Sequence, residues 1–438
     1  MSFPAYPKYK EFGAGWLRLI PQHWEIAPLW SMFRRIKRTN HADEQLLSVY
    51  RDFGVISKAS RDDNFNKPSD DLRQYQLVRP GDLAINKMKA WQGSVAVSAI
   101  RGIVSPAYHV YAKSHQCGDR YLHYLFRCAE YTTAYLSMSK GIRVNQWDLD
   151  PQKHSRMPVV LPPMDEQNRI SHFLDHETAK IDALIAEQER LIQLLEEKRQ
   201  AVISHAVTKG LDPDVPMKDS GVKWLGEIPA HWTVAGISKM FTIKAGGDLK
   251  EEFFSEQETP EHKYPIYTNT TSESAVYGWT SKPIFPGKAL TVTGRGEVGH
   301  AIYRDHPFDA IIRLLVLQPI ASASPEFFAH QINAVITFSE GHSAISQLST
   351  EQLSPYRVAC PPIDDQASIA SFCTQVSLSI RDSIDESRKL IFLLRERRAA
   401  IISAAVTGKI DVRNWQPPTD ESAFPQEVQQ AGLEEASP

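Results

Sequence analysis

Residues 10–24, K-E-F-G-A-G-W-L-R-L-I-P-Q-H-W, and residues 218–232, K-D-S-G-V-K-W-L-G-E-I-P-A-H-W, carry one pattern twice. Lys10, Gly13, Trp16, Leu17, Ile20, Pro21, His23 and Trp24 recur as Lys218, Gly221, Trp224, Leu225, Ile228, Pro229, His231 and Trp232. The offset is 208 there, 206 between Pro80-Gly81 and Pro286-Gly287, and 199 between Pro162-Pro163-Met164-Asp165-Glu166-Gln167 and Pro361-Pro362-Ile363-Asp364-Asp365-Gln366. It is again 199 between L-L-E-E-K-R-Q-A-V-I-S-H-A-V-T (194–208) and L-L-R-E-R-R-A-A-I-I-S-A-A-V-T (393–407). Solenoid repeats run at about 20–50 residues, so this period marks a duplicated domain. Each half keeps a constant frame around an interior that diverges.

After each Pro-Pro comes a long amphipathic run. Heptad positions fall on Ile170, Leu174, Glu177, Ile181, Leu184, Gln188, Leu191, Leu195, Lys198 and Val202, and on Ile369, Cys373, Val376, Ile380, Ser383, Ser387, Leu390, Leu394, Arg397 and Ile401. The 4-3 alternation predicts a coiled-coil seam, widened by Phe173, Ile185, Ile192, Phe372, Ile384 and Ile391. Asp165 and Asp364 are expected N-caps, and Gly210 and Gly408 expected stops. A core helix or a homodimer would also give this pattern. The duplication favours an antiparallel pair within one chain. Each helix of about 40 residues would be roughly 60 Å long.

Composition excludes several classes. In 438 residues, 42% hydrophobic and 23% charged content is that of a globular protein. No apolar run approaches the roughly 20 residues of a membrane span, and the first residues do not read as a signal peptide. Cys117, Cys128, Cys360 and Cys373 show neither C-x-x-C nor metal-ligand spacing, so a reduced, cytoplasmic protein with no metal is expected. The net charge is −3. Residues 416–438 hold five acids and no Lys or Arg, so the rest carries −3 + 5 = +2. That tail reads as disordered. A nucleic-acid footprint, if present, is local rather than global.

Residues 25–160 and 233–358 read as mixed α/β. R-P-G-D-L-A-I-N (79–86) and F-P-G-K-A-L-T-V-T (285–293) are strand-like runs, and 121–128 and 325–332 are helix-like. Gly294-Arg295-Gly296-Glu297-Val298-Gly299 matches the dinucleotide fingerprint G-x-G-x-x-G. A helix should follow, but H-A-I-Y-R-D-H-P alternates like a strand. The first half keeps only Gly93. A hairpin is the better reading. Lys87, Lys89, Trp91 and Arg101 cluster there in half one, and Arg295, His300 and Arg304 in half two. A cationic hairpin with an aromatic suits a DNA groove; a solvated loop around a packed Trp gives the same pattern. A second candidate is the loop holding Lys140, Arg143, Asn145 and Gln146, matched by His342 and Ser343. Asn and Gln can read adenine and Arg guanine, and a capping loop is the alternative. The run Arg34-Arg35-Ile36-Lys37-Arg38 suits phosphate contact or a solvated face.

No G-x-S-x-G, H-E-x-x-H or P-loop is present, nor the N-P-P-Y of amino-methyltransferases. A duplicated scaffold with variable interiors and no shared acid pair fits recognition better than catalysis.

The doubled P-P-x-D-x-Q-x-x-I entry, the helix ending L-L-x-x-[KR]-R-x-A-x-I-S-x-A-V-T and the G-x-x-W-L-x-x-I-P-x-H-W motif resemble the specificity (S) subunit of type I restriction–modification systems, over residues 1–412. The resemblance implies an α+β, pseudo-two-fold chain, with two target-recognition domains separated by two long helices that pair as an intramolecular antiparallel coiled coil. The expected division is 1–160 (first domain with its frame segment), 161–212 (central helix), 213–358 (second domain), 359–412 (distal helix) and 413–438 (acidic tail). It further implies a non-catalytic subunit that reads a bipartite, asymmetric site in double-stranded DNA. Its partners would be two adenine methyltransferase subunits and restriction/translocase subunits. S-adenosylmethionine, ATP and Mg would be bound by those partners, and no cofactor by this chain. A recognition subunit of a nuclease-free methylation or defence system, or a structural coiled-coil adaptor, would share much of the pattern. The Trp motifs read as frame and partner-docking surface, with the N-terminal copy packed near the end of the distal helix.

Overall fold

The structure is a computed structural model that describes residues 3–51, 53–61, 67–141, 147–320, 323–336, 338 and 347–417. The chain divides into two compact units, Met1–Glu187 with Leu390–Pro438, and Gln188–Lys389. Each unit holds one mixed α/β domain and part of both long helices, Met164–Lys209 and Ile363–Val406.

The duplication is visible in topology. In unit one a four-stranded antiparallel sheet runs Phe33–Ile36, Tyr108–Lys113, Leu83–Asn86, Val95–Val97. In unit two the order is Phe241–Ala245, Leu315–Pro319, Ala289–Val292, Ala301–Arg304. Alternate residues of these strands face helices: Asp119–Leu125 and Ala129–Met138 in one unit, Pro325–Val335 in the other. Gly81 and Gly287, the turn glycines ahead of the central strands, have φ of 85° and 95°, a region glycine enters without steric cost. Ala289–Val292 and Ala301–Arg304 pair antiparallel, so the G-x-G-x-x-G is a hairpin tip, as its strand-like sequel predicts. A Cβ on Gly299 would lie 1.9 Å from the Phe338 ring, which is why glycine stands there. The interiors diverge outside these sheets. Unit two adds a second four-stranded sheet over Phe254–Ala310, where unit one has two separate two-stranded ribbons.

Both domains are stitched shut at their base. Glu25–Pro28 pairs with Pro158–Leu161, and Thr233–Gly236 with Arg357–Cys360. Chain entry and exit therefore lie side by side, and each domain is an excursion from the frame.

The long helices pair head to tail. In unit one Ile170 and Leu174 share a core with Ile401, Ala405 and Val406, while Asp182 takes two hydrogen bonds from the Arg398 guanidinium at 2.8 and 3.1 Å. In unit two Ala206 and Val207 share a core with Ile369, Ala370 and Cys373. The buried stripe keeps the expected seam at Ile170, Leu174, Ile181, Ile369, Cys373, Ile380, Ser387, Leu394 and Ile401 and corrects it in between. Leu184 and Leu191, assigned to the seam, are 52% and 39% exposed, and Leu390 is 43% exposed. Ile384 and Ile391 are buried instead, and Ile185 and Ile192 are half-buried. The stripe follows 170-174-177-181-185-188-192 and 369-373-376-380-384-387-391, a repeat of eleven residues. Eleven residues in three turns is 3.67 per turn, close to the relaxed α-helix, so the pair needs no left-handed supercoil. Both helices also start earlier than expected, at Met164 and Ile363. Asp165 and Asp364 are therefore not caps but lie within the first turn, where carboxylates oppose the positive end of the dipole.

Candidate nucleic-acid interface

The frame residues of the repeat position the rest of each domain. Trp24 and Trp232 are 0% and 1% exposed. Each indole Nε1 donates to a carboxylate in the first turn of a long helix: Trp24 to Glu166 at 2.9 Å, Trp232 to Asp365 at 3.3 Å. His23 and His231 contact the same carboxylates at 2.8 and 3.1 Å. The next residue of that turn clamps the domain. Gln167 donates to Pro162 O (2.8 Å) and accepts from Gly118 N (2.9 Å); Gln366 donates to Pro361 O (2.8 Å) and accepts from Ser324 N (2.8 Å). Gly408 abuts Pro21 and Trp24, and Gly210 abuts Trp232, so each motif copy packs on the end of a long helix. The N-terminal copy sits at the end of the distal helix, as expected. Trp24 and Trp232 are interior, however, which removes them from any docking surface.

One joint is made by different chemistry in the two halves. The Tyr121 hydroxyl donates to Val160 O and Val406 O at 3.1 and 3.4 Å. At the equivalent place the buried Gln331 donates to Val207 O at 2.8 Å and accepts from Ala359 N at 3.1 Å. Val406 and Val207 lie in the last helical turns, whose carbonyls have no partner within the helix. No signal in the sequence links a Tyr to a Gln 210 positions away.

The variable side of each domain carries the candidate residues. In half one the chain turns at Asn86–Lys89 into a short 3-10 segment, Ala90–Gln92, closed by Gly93 at φ 91°. Lys89 is exposed and Lys87 half-buried. Trp91 is half-buried, donates to Met88 O at 3.1 Å and packs on Trp147 at 4.9 Å. The ribbon Ser139–Lys140/Asp148–Leu149 lies alongside, joined by Leu149 N to Lys87 O at 3.0 Å. The two segments singled out in the sequence thus form one surface, with Lys87, Lys89 and exposed Lys140 on it. Among the described residues none of these three forms an ion pair. Arg143, Asn145 and Gln146, in the connection of that ribbon, lie outside the described residues. Arg101 is elsewhere: it is bound to Glu44 at 2.6 and 2.8 Å, and the pair holds the Glu44 carboxyl below its ordinary range. The basic run is partly neutralised, since Arg38 meets Asp82 at 2.5 Å. Arg35 contacts His109 at 3.1 Å. Burial first, then Arg35 and Lys87, push His109 down to about 4, so this surface keeps a neutral imidazole beneath its cations.

Half two repeats the juxtaposition. Leu348 N donates to Gly294 O at 2.8 Å, and Arg295 Nη2 to Gln347 Oε1 at 3.3 Å, which ties the hairpin tip to the segment after the second candidate loop. His342 and Ser343, in that loop, lie outside the described residues. Arg295 is exposed. His300 is half-buried and its pKa is lowered, chiefly by burial. Arg304 is not on the surface: it is 4% exposed, stacks 3.7 Å from the Tyr267 ring and donates to Glu273 O at 2.7 Å. Strand alternation, which puts Arg304 on the inner face, outweighs its charge.

Two features of this side were not foreseen. Asn269 Oδ1 accepts from Gly294 N (2.7 Å) and Arg295 N (3.2 Å), fixing the tip, while its Nδ2 donates to Ile312 O (2.7 Å). Ile312 and Arg313 have φ of 55° and 57°, rare for a β-branched residue, and both are exposed beside the tip. Such strain tends to gather at functional sites. Among the described residues no group of three His, Cys, Asp or Glu is placed to hold a metal, and no helix is long and apolar enough to cross a membrane.

The family profile described as the type I restriction modification DNA specificity domain matches residues 229–386. Residues 229–386 are thus similar in sequence to that domain family. The match takes in the whole α/β part of the second half, with its hairpin and clamp, and runs into the distal helix. A type I specificity subunit of Mycoplasma pneumoniae is 28% identical over 217 residues, 50% of this chain and 54% of that protein. The EcoKI specificity subunit of Escherichia coli K12 is 22% identical over 233 residues, 48% of this chain and 46% of that protein. The chain therefore spans about half the length of these curated relatives. A chain from a solved structure concerned with complex assembly and conformational transition of the type I R-M system superposes over 89% of this chain and 99% of its own. Its TM-score is 0.69 at 14% identity, a likeness of fold. The specificity-domain match lies in half two, and the shared sheet order and frame extend its architecture to half one.

Proposed function

We propose that this chain is the DNA-reading subunit of a type I restriction–modification complex, that it binds double-stranded DNA through both domains, and that it is not itself catalytic. The observation that carries this reading is the repeated juxtaposition. In both halves a cation-bearing tip is hydrogen-bonded to the segment that follows the second candidate loop, on a common frame, in a chain with a specificity-domain match. Phosphate contacts by Lys87, Lys89, Lys140, Arg295 and Arg313 would set register. The bases would be read by the divergent residues between them. Two unlike domains on one frame give a bipartite, asymmetric site, and two copies of the frame suit two identical methyltransferase subunits. S-adenosylmethionine and ATP would be handled by partner subunits.

Sequencing of methylated adenines in cells expressing the chain with its partner subunits tests this. The expected result is a single two-part motif. No motif, or DNA binding by the purified chain that does not weaken with salt, sinks the proposal in favour of a protein-binding adaptor.

A further inference from the structure

In unit one the flank of the first long helix at Phe173 is covered twice. Phe3 packs edge-on at 5.1 Å and Trp415 at 5.4 Å, and Phe173 is fully buried. The two covering segments, 3–9 and 409–415, are tied together and to the helix. Asp411 N donates to Pro4 O at 2.8 Å, Arg169 donates to Arg413 O at 2.6 Å, and Arg413 lies 5.0 Å over the Tyr6 ring. The Tyr6 hydroxyl donates to Glu166, whose side chain is only 6% exposed.

Unit two has the same helix face with one segment in place of two. Phe372 and Asp365 occupy the positions of Phe173 and Glu166 at offset 199. Residues 210–217 leave the first long helix as 408–415 leave the second, and enter the strand Met217–Asp219 as 3–9 enter Tyr9–Ala14. One segment cannot fill both places. Phe372 is 36% exposed and Leu211 46%, and an open, mainly apolar groove of about 470 Å³ runs between them and Ala201, Val202, His205 and Ala206. Asp365 keeps its His and Trp contacts but is 41% exposed, and among the described residues no tyrosine or arginine is bonded to it.

We propose that this groove receives a Trp or Phe side chain from a partner polypeptide, with a neighbouring Arg or Lys of that partner reaching Asp365. The chemistry is specified by the cap that fills the same place in unit one, where Trp415 covers the Phe, and Arg413, two residues away, pairs with Asp411 at 2.6 Å, lies over the Tyr6 ring and acts on the Glu166 carboxylate through its charge. The spacing is retained: Asp365 and Phe372, like Glu166 and Phe173, are seven residues and about 10 Å apart along the helix. A rigid aromatic in an apolar slot flanked by one charge is the usual make-up of an interface anchor. The inference rests on the proposed function only in assuming that the chain works in a complex.

The test uses the full chain and a fluorescent peptide with the sequence of residues 409–417, K-I-D-V-R-N-W-Q-P. Saturable binding is expected, weakened at least about tenfold when the peptide Trp is replaced by Ala. The same loss is expected in the chain variants Phe372→Ala and Ala201→Glu, with their melting midpoints and DNA affinity unchanged. Absence of binding at millimolar peptide, or binding that survives both variants, overturns the proposal. So does self-association of the chain that Phe372→Ala abolishes, which would make a second copy the occupant. A chain ending at residue 417 that binds the peptide about tenfold tighter than the full chain would assign the groove to its own tail. Intact salt-dependent DNA binding alongside failed peptide binding removes this inference alone and leaves the DNA reading standing.

Discussion

Glu166 shows how one side chain decides a local structure. Its carboxylate accepts from Tyr6, Trp24 and His23, three groups brought from the repeat motif to the start of a helix. Replacing it with Ala leaves buried donors unpaired, so Glu166→Ala should cost about 2–4 kcal/mol in urea unfolding. Asp365→Ala, at a half-exposed carboxylate, should cost clearly less; equal losses would refute the argument from burial. Histidines supply a pH dependence. Burial holds His154 and His123 down at about 3, and Arg127 adds to the effect at His123. Their folded pKa lies below the unfolded 6.5, so both fold as the neutral form. The stability they contribute is complete above pH 6.5 and is lost as pH falls from 6.5 toward 3. The expected outcome is a melting temperature that drops through this window, with a shallower drop in His154→Phe. Among the cations, Lys89→Ala and Arg295→Ala should each weaken DNA binding and lower the salt slope by about one, without moving the melting midpoint. Arg304→Ala should behave oppositely, lowering the melting midpoint because it empties a stacked, buried site.

At the scale of the element, the stretches 170–192 and 369–391 of the long helices follow an eleven-residue repeat. A seam at 3.5 residues per turn would bring Leu184 and Leu191 inward. The relaxed helix rotates less per residue, so the same face is reached one position later, at Ile185 and Ile192. Removing one eleven-residue repeat from each helix preserves the buried pattern and shortens it by about 16 Å. If the helices set the distance between the two halves of a DNA site, methylation mapping of that variant should show a spacer about five base pairs shorter at about 3.4 Å each. An unchanged spacer would dismiss the helices as a ruler. The clamps at Gln167 and Gln366 belong to this scale too. Each ties a Pro-Pro carbonyl to the start of a domain helix and so fixes the domain to its long helix.

For the whole molecule, the paired strands Glu25–Pro28 with Pro158–Leu161 and Thr233–Gly236 with Arg357–Cys360 make each domain replaceable. Exchange of residues 29–157 for another domain of this kind, cut inside the stitch, should change one half of the recognised motif and leave the other as it was. A change in both halves would show that the domains do not read independently.

Much of this protein is determined by local pattern. The duplication, the two long helices, the hairpin in place of a nucleotide loop and the strand-like runs follow from periodicity and turn residues, which depend on neighbours a few positions away. So do the Pro-Pro entries and the glycine stops. What tertiary structure alone decided depends on residues that meet from far along the chain. The burial of Arg304 under Tyr267 and the pairing of Arg101 with Glu44 set apart two candidate cations that composition could not distinguish from Lys89. The carboxylate beneath each Trp motif took Trp24 and Trp232 out of the expected docking surface and left them as frame. The exchange of a tyrosine hydroxyl for a glutamine amide at one joint is invisible to any comparison of residue types, because only the orphan carbonyl they both satisfy is the same. The physical reason is common to all four: a charge or a donor has no assigned place until folding determines which of its possible partners is within hydrogen-bonding distance and which is left to water.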